Sequence, residues 1–308
     1  MPRTIINPEV GQKHIRKNKY VPHLAAARFK PTEDWSVAEA RRLYASSKGV
    51  IFDCVKYEDN FEGMRKLSPE SIDCVIADPP FGLSFNGRES IYNRDYRYVR
   101  GGYKEMKGDY KKFSEAWIGE LSRIMKPTAT AWIFSGWTNL FDVLAALKKT
   151  ELKLINHIIW RYQFGVFTER KFVTSHYHLL FLAKSSDYYF NKIMHYPLDV
   201  WEINRTYRTG EVKNATKLPN ELVQRCVDFS TRPGDLIMDP FMGNGTTALV
   251  AKASFRHYVG FELNGAMKPV IDANISSVSP GEFYTPYSER EEEELVRNAK
   301  KRYGMIKS

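Results

Sequence analysis

The chain has 308 residues, enough to bury a sizeable core, and carries 46 Lys and Arg against 36 Asp and Glu, a formal net charge of +10. That surplus points to a polyanionic partner, nucleic acid before membrane. Cys54, Cys74 and Cys226 are too few and too scattered for a disulfide framework or a Cys-x-x-Cys zinc site, no apolar stretch approaches a membrane span, and no signal-peptide core opens the chain, so a reduced, cytoplasmic setting is expected.

Residues 1–49 read as a basic extension. Within 1–30, Arg3, Lys13, Arg16, Lys17, Lys19, Arg28 and Lys30 stand against one acid, Glu9, with no sustained apolar period. Such a stretch is a solvated tail or an arm that contacts a polyanion. The residues 32–47 predict a helix, 50–55 a strand and 61–67 a short helix. Next comes Ile72-Asp73-Cys74-Val75-Ile76-Ala77, an apolar run that predicts a buried parallel strand, ending in Asp78-Pro79-Pro80-Phe81.

Residues that follow such a strand emerge at the carboxyl edge of the sheet, where open α/β sheets bind ligands. The two prolines fix φ twice and remove two N–H donors, leaving rigid carbonyls that only accept hydrogen bonds. Ionised Asp78 is likewise an acceptor, and Phe81 adds a flat apolar face. Acceptors beside an aromatic plate suit a planar ring bearing an exocyclic NH2. The plainer alternative is a strand-ending turn, for which Asp and Pro are ordinary residues.

The segment 82–110 lacks helical or alternating periodicity. In it Arg88, Arg94, Arg97, Arg100, Lys104 and Lys107 are interleaved with Tyr92, Tyr96, Tyr98, Tyr103 and Tyr110. Loops of this length are functional or disordered, and basic groups with aromatics are what closure over an unpaired base requires. Alternation then resumes with a helix at 113–125, a strand at 130–135, a helix at 140–149 and a strand at 152–161. A further strand at 177–184 is expected to lie antiparallel at an edge. Arg170 and Lys171 sit between the last two strands, at the tip of a hairpin or on a nucleic-acid surface. A linker-like stretch, 185–216, contains Asp199-Val200-Trp201-Glu202-Ile203 and the bases Arg205, Arg208 and Lys213, and a helix follows at 219–231.

The apolar strand Leu236-Ile237-Met238 leads into Asp239-Pro240-Phe241-Met242-Gly243-Asn244-Gly245-Thr246-Thr247, then a helix, then a strand at 257–261 ending at Glu262. In this Rossmann-like βαβ unit, glycines let the backbone approach a ligand and a terminal carboxylate can accept both ribose hydroxyl protons. The Walker lysine is absent and the loop is GNG rather than GxGxxG, which favours a nucleoside without a pyrophosphate.

With both segments in view, 50–275 resembles the β-class S-adenosylmethionine-dependent DNA amino-methyltransferases, in which a DPP(Y/F/W) motif precedes a DPFxGxGTT motif. The resemblance implies a class I methyltransferase sheet, α/β and mostly parallel, in circularly permuted motif order. It implies a catalytic domain over 50–279, with 82–110 contacting DNA and 185–216 as a short variable region, and a helical tail over 280–308. Asp78, Pro79, Pro80 and Phe81 would be catalytic. Asp239, Phe241, Gly243, Gly245, Thr246 and Glu262 would hold S-adenosylmethionine. Asn214-Ala215-Thr216-Lys217-Leu218-Pro219 is similar to the family's HPTxKP segment, which places Lys217 on the cofactor's carboxylate, although Asn replaces His and Leu218 is extra. Asp59 stands where the family often has Gly-Asp, as a contact on the adenine side or as a helix cap. Arg88, Arg94, Arg97, Arg100, Arg170 and Lys171 would meet double-stranded DNA, and a metal is not called for. The expected reaction is methylation of adenine N6 on a flipped base, with cytosine N4 as the runner-up, since cytosine-N4 members more often carry Ser at the position of Asp78. An RNA or protein-amide methyltransferase and an inactive DNA-binding relative are the readings from other classes. A homodimer and a cognate restriction endonuclease in a prokaryotic or phage setting are the further partners the resemblance brings.

Overall fold

A computed structural model describes residues 30–47, 53–80, 109–163, 169–170, 172–195, 197–205 and 217–290. In chain order the elements are α1 (Val37–Ser47), β1 (Cys54–Lys56), α2 (Asn60–Arg65), β2 (Ile72–Ala77), α3 (Tyr110–Ile124), β3 (Met125–Ser135), α4 (Leu140–Leu147), β4 (Lys153–Arg161), β5 (His176–Ala183), β6 (Val200–Glu202), α5 (Asn220–Ser230), β7 (Leu236–Asp239), α6 (Thr246–Ala253), β8 (His257–Phe261) and α7 (Lys268–Ser276).

The strands form one sheet in the order β1-β8-β7-β2-β3-β5-β4-β6. Alternate residues of the central strands face opposite helical layers, as the pleat requires. Cys74, Ile76, Trp132, Phe134, Leu179 and Phe181 pack towards α5 and α6. Val75, Ala77, Ala131, Ile133, Leu180 and Leu182 pack towards α3 and α4. Burial on both faces explains why these strands read as continuous apolar runs. Two buried indoles are bonded, Trp132 Nε1 donating to Ser230 Oγ at 2.7 Å and Trp160 Nε1 to the Ile203 carbonyl at 2.8 Å, whereas Trp117 Nε1 has no acceptor among the described residues.

One expectation needs correction. The antiparallel strand exists, but β5 lies inside the sheet, bonded antiparallel to both β3 and β4, while β1 and β6 form the edges. The reason lies in burial: Leu179–Ala183 is buried throughout, whereas much of β4 is exposed. Of the two hairpin strands, the one that is apolar on both faces takes the more central place beside β3, and β4 lies outside it against the short edge strand β6. The linker-like stretch also contributes, since Val200–Glu202 pairs in parallel with Ile159–Arg161 as β6.

The end of the basic extension packs onto this body. Ser36 and Glu39 form a reciprocal cap at the start of α1, Ser36 N donating to Glu39 Oε2 at 2.8 Å and Glu39 N to Ser36 Oγ at 3.3 Å. The Tyr44 ring stacks on His257 with centroids 4.4 Å apart, and Asp53 accepts from Tyr258 N at 3.0 Å, which pins the start of β8. Arg232 donates to both Glu33 oxygens at 2.8 and 2.9 Å, and Asp34 accepts from Tyr287 N at 2.7 Å. The chain near 33 thereby clasps the chain near 287.

Candidate active site

β7 and β2 are parallel neighbours, with Cys74 opposite Ile237 and Val75 opposite Met238. From β7 the chain proceeds through α6 to β8 on one side, and from β2 to β3 on the other. The crevice at the carboxyl ends of β2 and β7 is therefore a topological switch point, the place where open α/β sheets bind ligands. Asp78 and Asp239 stand at its two walls.

Asp239 organises the loop beyond β7. Its Oδ1 accepts from Phe241 N at 2.9 Å, and its Oδ2 accepts from Thr247 Oγ1 at 2.6 Å, tying the strand end to the first turn of α6. Gly243 and Gly245 have φ of +53° and +78°, a region that penalises any side chain. A Cβ on Gly245 would stand 3.1 Å from Ile271 Cγ2 in α7, whereas one on Gly243 would meet little and instead fill open space over the loop. Glu262, just past β8, accepts from Gly243 N and Asn264 N, both at 2.8 Å. Each of its oxygens keeps a lone pair after that. Burial raises the Glu262 carboxyl above its ordinary value, opposed by those two N–H groups.

These features fit a nucleoside cofactor. The open cradle at Gly243 would be lost to a side chain, and Tyr57 Oη, Asn60 Nδ2 and Asn264 Nδ2, all near the β1 and β8 ends, are buried polar atoms with no hydrogen-bond partner among the described residues. Such orphaned atoms need a ligand or water to satisfy them. Asp59 caps α2, its Oδ1 accepting from Phe61 N at 3.0 Å and Glu62 N at 3.2 Å. Lys217 lies just before α5 and is half-buried. Phe241 packs edge-on against Trp117 at 5.2 Å and beside Phe113 at 5.8 Å, which seats the loop against α3. Thr246 is buried as the first residue of α6.

At the other wall, Asp78 is partly accessible and Pro79 buried. Desolvation, reinforced by the charge of Asp239 and opposed by Arg205, pushes the Asp78 carboxyl up to about 7. Asp239 is likewise pushed up to about 7 by burial, against its bonds to Thr247 and Phe241. Between the ordinary value of 3.8 and about 7, the folded protein holds protons that the unfolded chain has released. Stability from these two groups therefore falls as pH rises through that window. Asp78→Asn should raise the unfolding temperature at pH 8 and leave it nearly unchanged at pH 4; thermal melts across this range check the sign, and equal effects at both ends would contradict it.

Phe81, Arg88, Arg94, Arg97, Arg100 and Lys171 lie outside the described residues. Arg170 is exposed on the β4–β5 connection. Because β3, β4 and β6 run parallel to β2, that connection shares the rim with Asp78, as do the exposed Trp137 and Phe172. Sequence reasoning missed two groups that bear on Asp78. Tyr110, the first residue of α3, has a buried hydroxyl without a partner among the described residues, and burial and the nearby Asp78 raise its phenol. Arg205 follows β6 and was visible only as one base among several. Among the described residues, no group of three His, Cys, Asp or Glu could hold a metal, and no helix is long and apolar enough to cross a membrane.

The profile of the N6/N4 family, described as DNA methylase, matches residues 72–272. The type II methyltransferase M2.DpnII of Streptococcus pneumoniae is 30% identical over 222 residues, 67% of this chain and 83% of that protein. The M1.HpyAVI–SAM complex superposes over 72% of this chain and 98% of its own, with a TM-score of 0.52 and 19% identity. The PvuII DNA methyltransferase, cytosine-N4-specific, superposes over 82% of this chain and 93% of its own, with a TM-score of 0.58 and 17% identity. The fold is thus that of class I DNA methyltransferases. The chain belongs to the N6-adenine and N4-cytosine DNA methylase family and is an S-adenosylmethionine-dependent DNA amino-methyltransferase.

Proposed function

We propose that this enzyme methylates N6 of adenine in double-stranded DNA, on a base rotated out of the helix. Supporting the choice of adenine is the residue at position 78, a carboxylate at the switch-point crevice where the cytosine-N4 members more often carry Ser. The fold does not decide between the bases, since a cytosine-N4-specific enzyme shares it.

When bound, S-adenosylmethionine supplies an electrophilic methyl group on a sulfonium. Its ribose would lie on Glu262, its adenosine over Gly243 and Gly245 with Phe241 and Asp239 shaping the loop, its adenine side towards Asp59 and its carboxylate towards Lys217. Base flipping is needed because the target amine is otherwise paired and cannot face the donor. The carboxylate of Asp78 and the carbonyl of Pro79 would each accept one amino hydrogen, which draws the nitrogen lone pair out of conjugation with the ring. Pro80 holds the backbone rigid, and Phe81 would stack on the ring, an interaction worth about 1–3 kcal/mol. A carboxyl that titrates near neutrality can also take up, at Oδ, the proton that the amine sheds. Positioning for in-line transfer supplies most of the remaining acceleration.

Arg88, Arg94, Arg97, Arg100, Arg170 and Lys171 are assigned to phosphates. Neutralising Arg94, Arg97 and Arg100 together should lower DNA affinity and flatten the log–log salt dependence by roughly one unit for each phosphate that is no longer neutralised. Parallel salt titrations for wild type and triple variant would move the interface elsewhere, to the basic N-terminal arm. A cytoplasmic enzyme of a prokaryote or phage, acting as a homodimer beside a cognate restriction endonuclease, completes the reading; the type II relative from a bacterium supports the prokaryotic setting. Nucleoside mass spectrometry after incubation with methyl donor and DNA, RNA or protein tests the substrate. N6-methyldeoxyadenosine from DNA alone is expected, and N4-methyldeoxycytidine would replace the adenine assignment.

A further inference from the structure

Arg205 is held in a way that a solvated surface base is not. Its guanidinium carbon stands 4.0 Å from the Tyr162 ring centroid, 5.0 Å from Tyr177 and 5.6 Å from Trp160, an aromatic box contributed by the β4–β5 hairpin. Those three rings pack on one another, Trp160 with Tyr177 at 5.7 Å and Tyr162 with Tyr177 at 5.8 Å. The backbone is fixed as well: Arg205 N donates to Gln163 Oε1 at 2.9 Å, and Gln163 Nε2 donates to the Arg205 carbonyl at 3.1 Å. Nε of Arg205 is buried and finds no acceptor among the described residues. The rings attract the cation, whereas the buried donor without an acceptor among the described residues carries a cost, so a charge held this firmly at the rim points to a use for it nearby.

What lies nearby is Asp78. β2 ends at Ala77 opposite Ile133 of β3, so Asp78 comes level with Phe134 and follows the alternation of Cys74 and Ile76 on the face that carries Phe134. The Phe134 ring in turn meets Trp160 of the box edge-on at 6.4 Å. Three groups among the described residues bear on its charge: Asp239 from the end of β7, Tyr110 from the start of α3, and Arg205 from beyond β6. Asp239 opposes ionisation of Asp78, and Arg205 is the cation that favours it. No direct bond joins Arg205 to Asp78, so the influence acts through space. We infer that Arg205 is a positioning residue for methyl transfer: a guanidinium locked in the Trp160–Tyr162–Tyr177 box, whose charge keeps the Asp78 carboxylate ready to accept hydrogens from the target amine. This rests on the proposed acceptor role of Asp78.

The sign follows from the charge. Transfer needs ionised Asp78, so activity rises with pH along an acid limb. Without the Arg205 charge that limb moves to higher pH, because the anion loses a stabilising neighbour. At the effective dielectric of a protein rim, a unit charge across the crevice corresponds to a shift on the order of half a unit to one unit. The test is the pH profile of kcat/KM for methyl transfer in wild type, Arg205→Met and Arg205→Lys. Arg205→Met should move the acid limb upward, losing about three- to tenfold at pH 6 and much less at pH 9, whereas Arg205→Lys should keep the limb near its wild-type position. A limb that stays in place in Arg205→Met, or moves equally in both variants, overturns the inference and leaves Arg205 structural. If Arg205→Met does not fold, Arg205→Gln carries the same expectation with a polar head in the box. Asp78→Ala is the separate control: transfer that persists in it removes the acceptor role of Asp78, whatever Arg205 does.

Discussion

Asp78→Ala should lower methyl transfer by about 10²–10⁴-fold, the range for removing a positioned proton acceptor, while cofactor affinity stays close to wild type. The expectation follows from where the side chain sits. Asp78 directly follows β2, and the cradle of Gly243, Gly245 and Glu262 is built on β7, α6 and β8, with no hydrogen bond from Asp78 holding it together among the described residues. Calorimetry with the cofactor and a labelled-methyl assay on DNA separate the two effects. Collapse of cofactor affinity with normal transfer by the bound fraction would place Asp78 on the donor side instead.

Glu262→Ala should weaken cofactor binding by about 1–3 kcal/mol, the range for hydrogen bonds to a charged acceptor. Two effects combine in it. The ribose hydroxyls are left without their acceptor, and Gly243 N, held at 2.8 Å by Glu262 Oε2, is released so that the cradle itself loosens. Calorimetric affinity unchanged from wild type would leave Glu262 as a structural clamp for Gly243 and Asn264.

Much of this arrangement is legible in the sequence because it is local. The strands at 72–77 and 257–261 occur over those residues, since each is a short, mainly apolar run followed directly by an acid. The helix expected from 113 begins at Tyr110 because Asp109 caps it, accepting from Lys111 N at 3.1 Å. The strand expected from 130 begins at Met125, five residues early. Pro127 and exposed flanking residues hide its start, and β2 accommodates it by a register shift between Ile72 and Cys74. A strand of three residues such as β6 has no periodicity of its own and exists only through its pairing with β4. Asp59 offered two readings; its capping bonds to Phe61 N and Glu62 N are what the described chain displays.

What the sequence hid is long-range. Arg205 gains meaning from rings 28 to 45 positions earlier in the chain, and no spacing rule links it to Trp160, Tyr162 and Tyr177. Tyr110 read as one of five tyrosines in a basic segment, yet it opens α3 with a buried hydroxyl close enough to Asp78 to be affected by its charge. The interior place of β5 depended on which hairpin strand is apolar on both faces, a distinction that the polar start His176-Tyr177-His178 blurs at one end. Tertiary packing, not propensity, settled each of these.

Modified-base sequencing of DNA from cells expressing the wild-type chain or Asp78→Ala tests most directly whether Asp78 and the Asp239–Glu262 cradle form one site for transfer to the N6 amine of adenine. N6-methyladenine at a recurring sequence with wild type, and its loss with Asp78→Ala, is the predicted result. N4-methylcytosine at that sequence, or modification that persists at the wild-type level in Asp78→Ala, would contradict it.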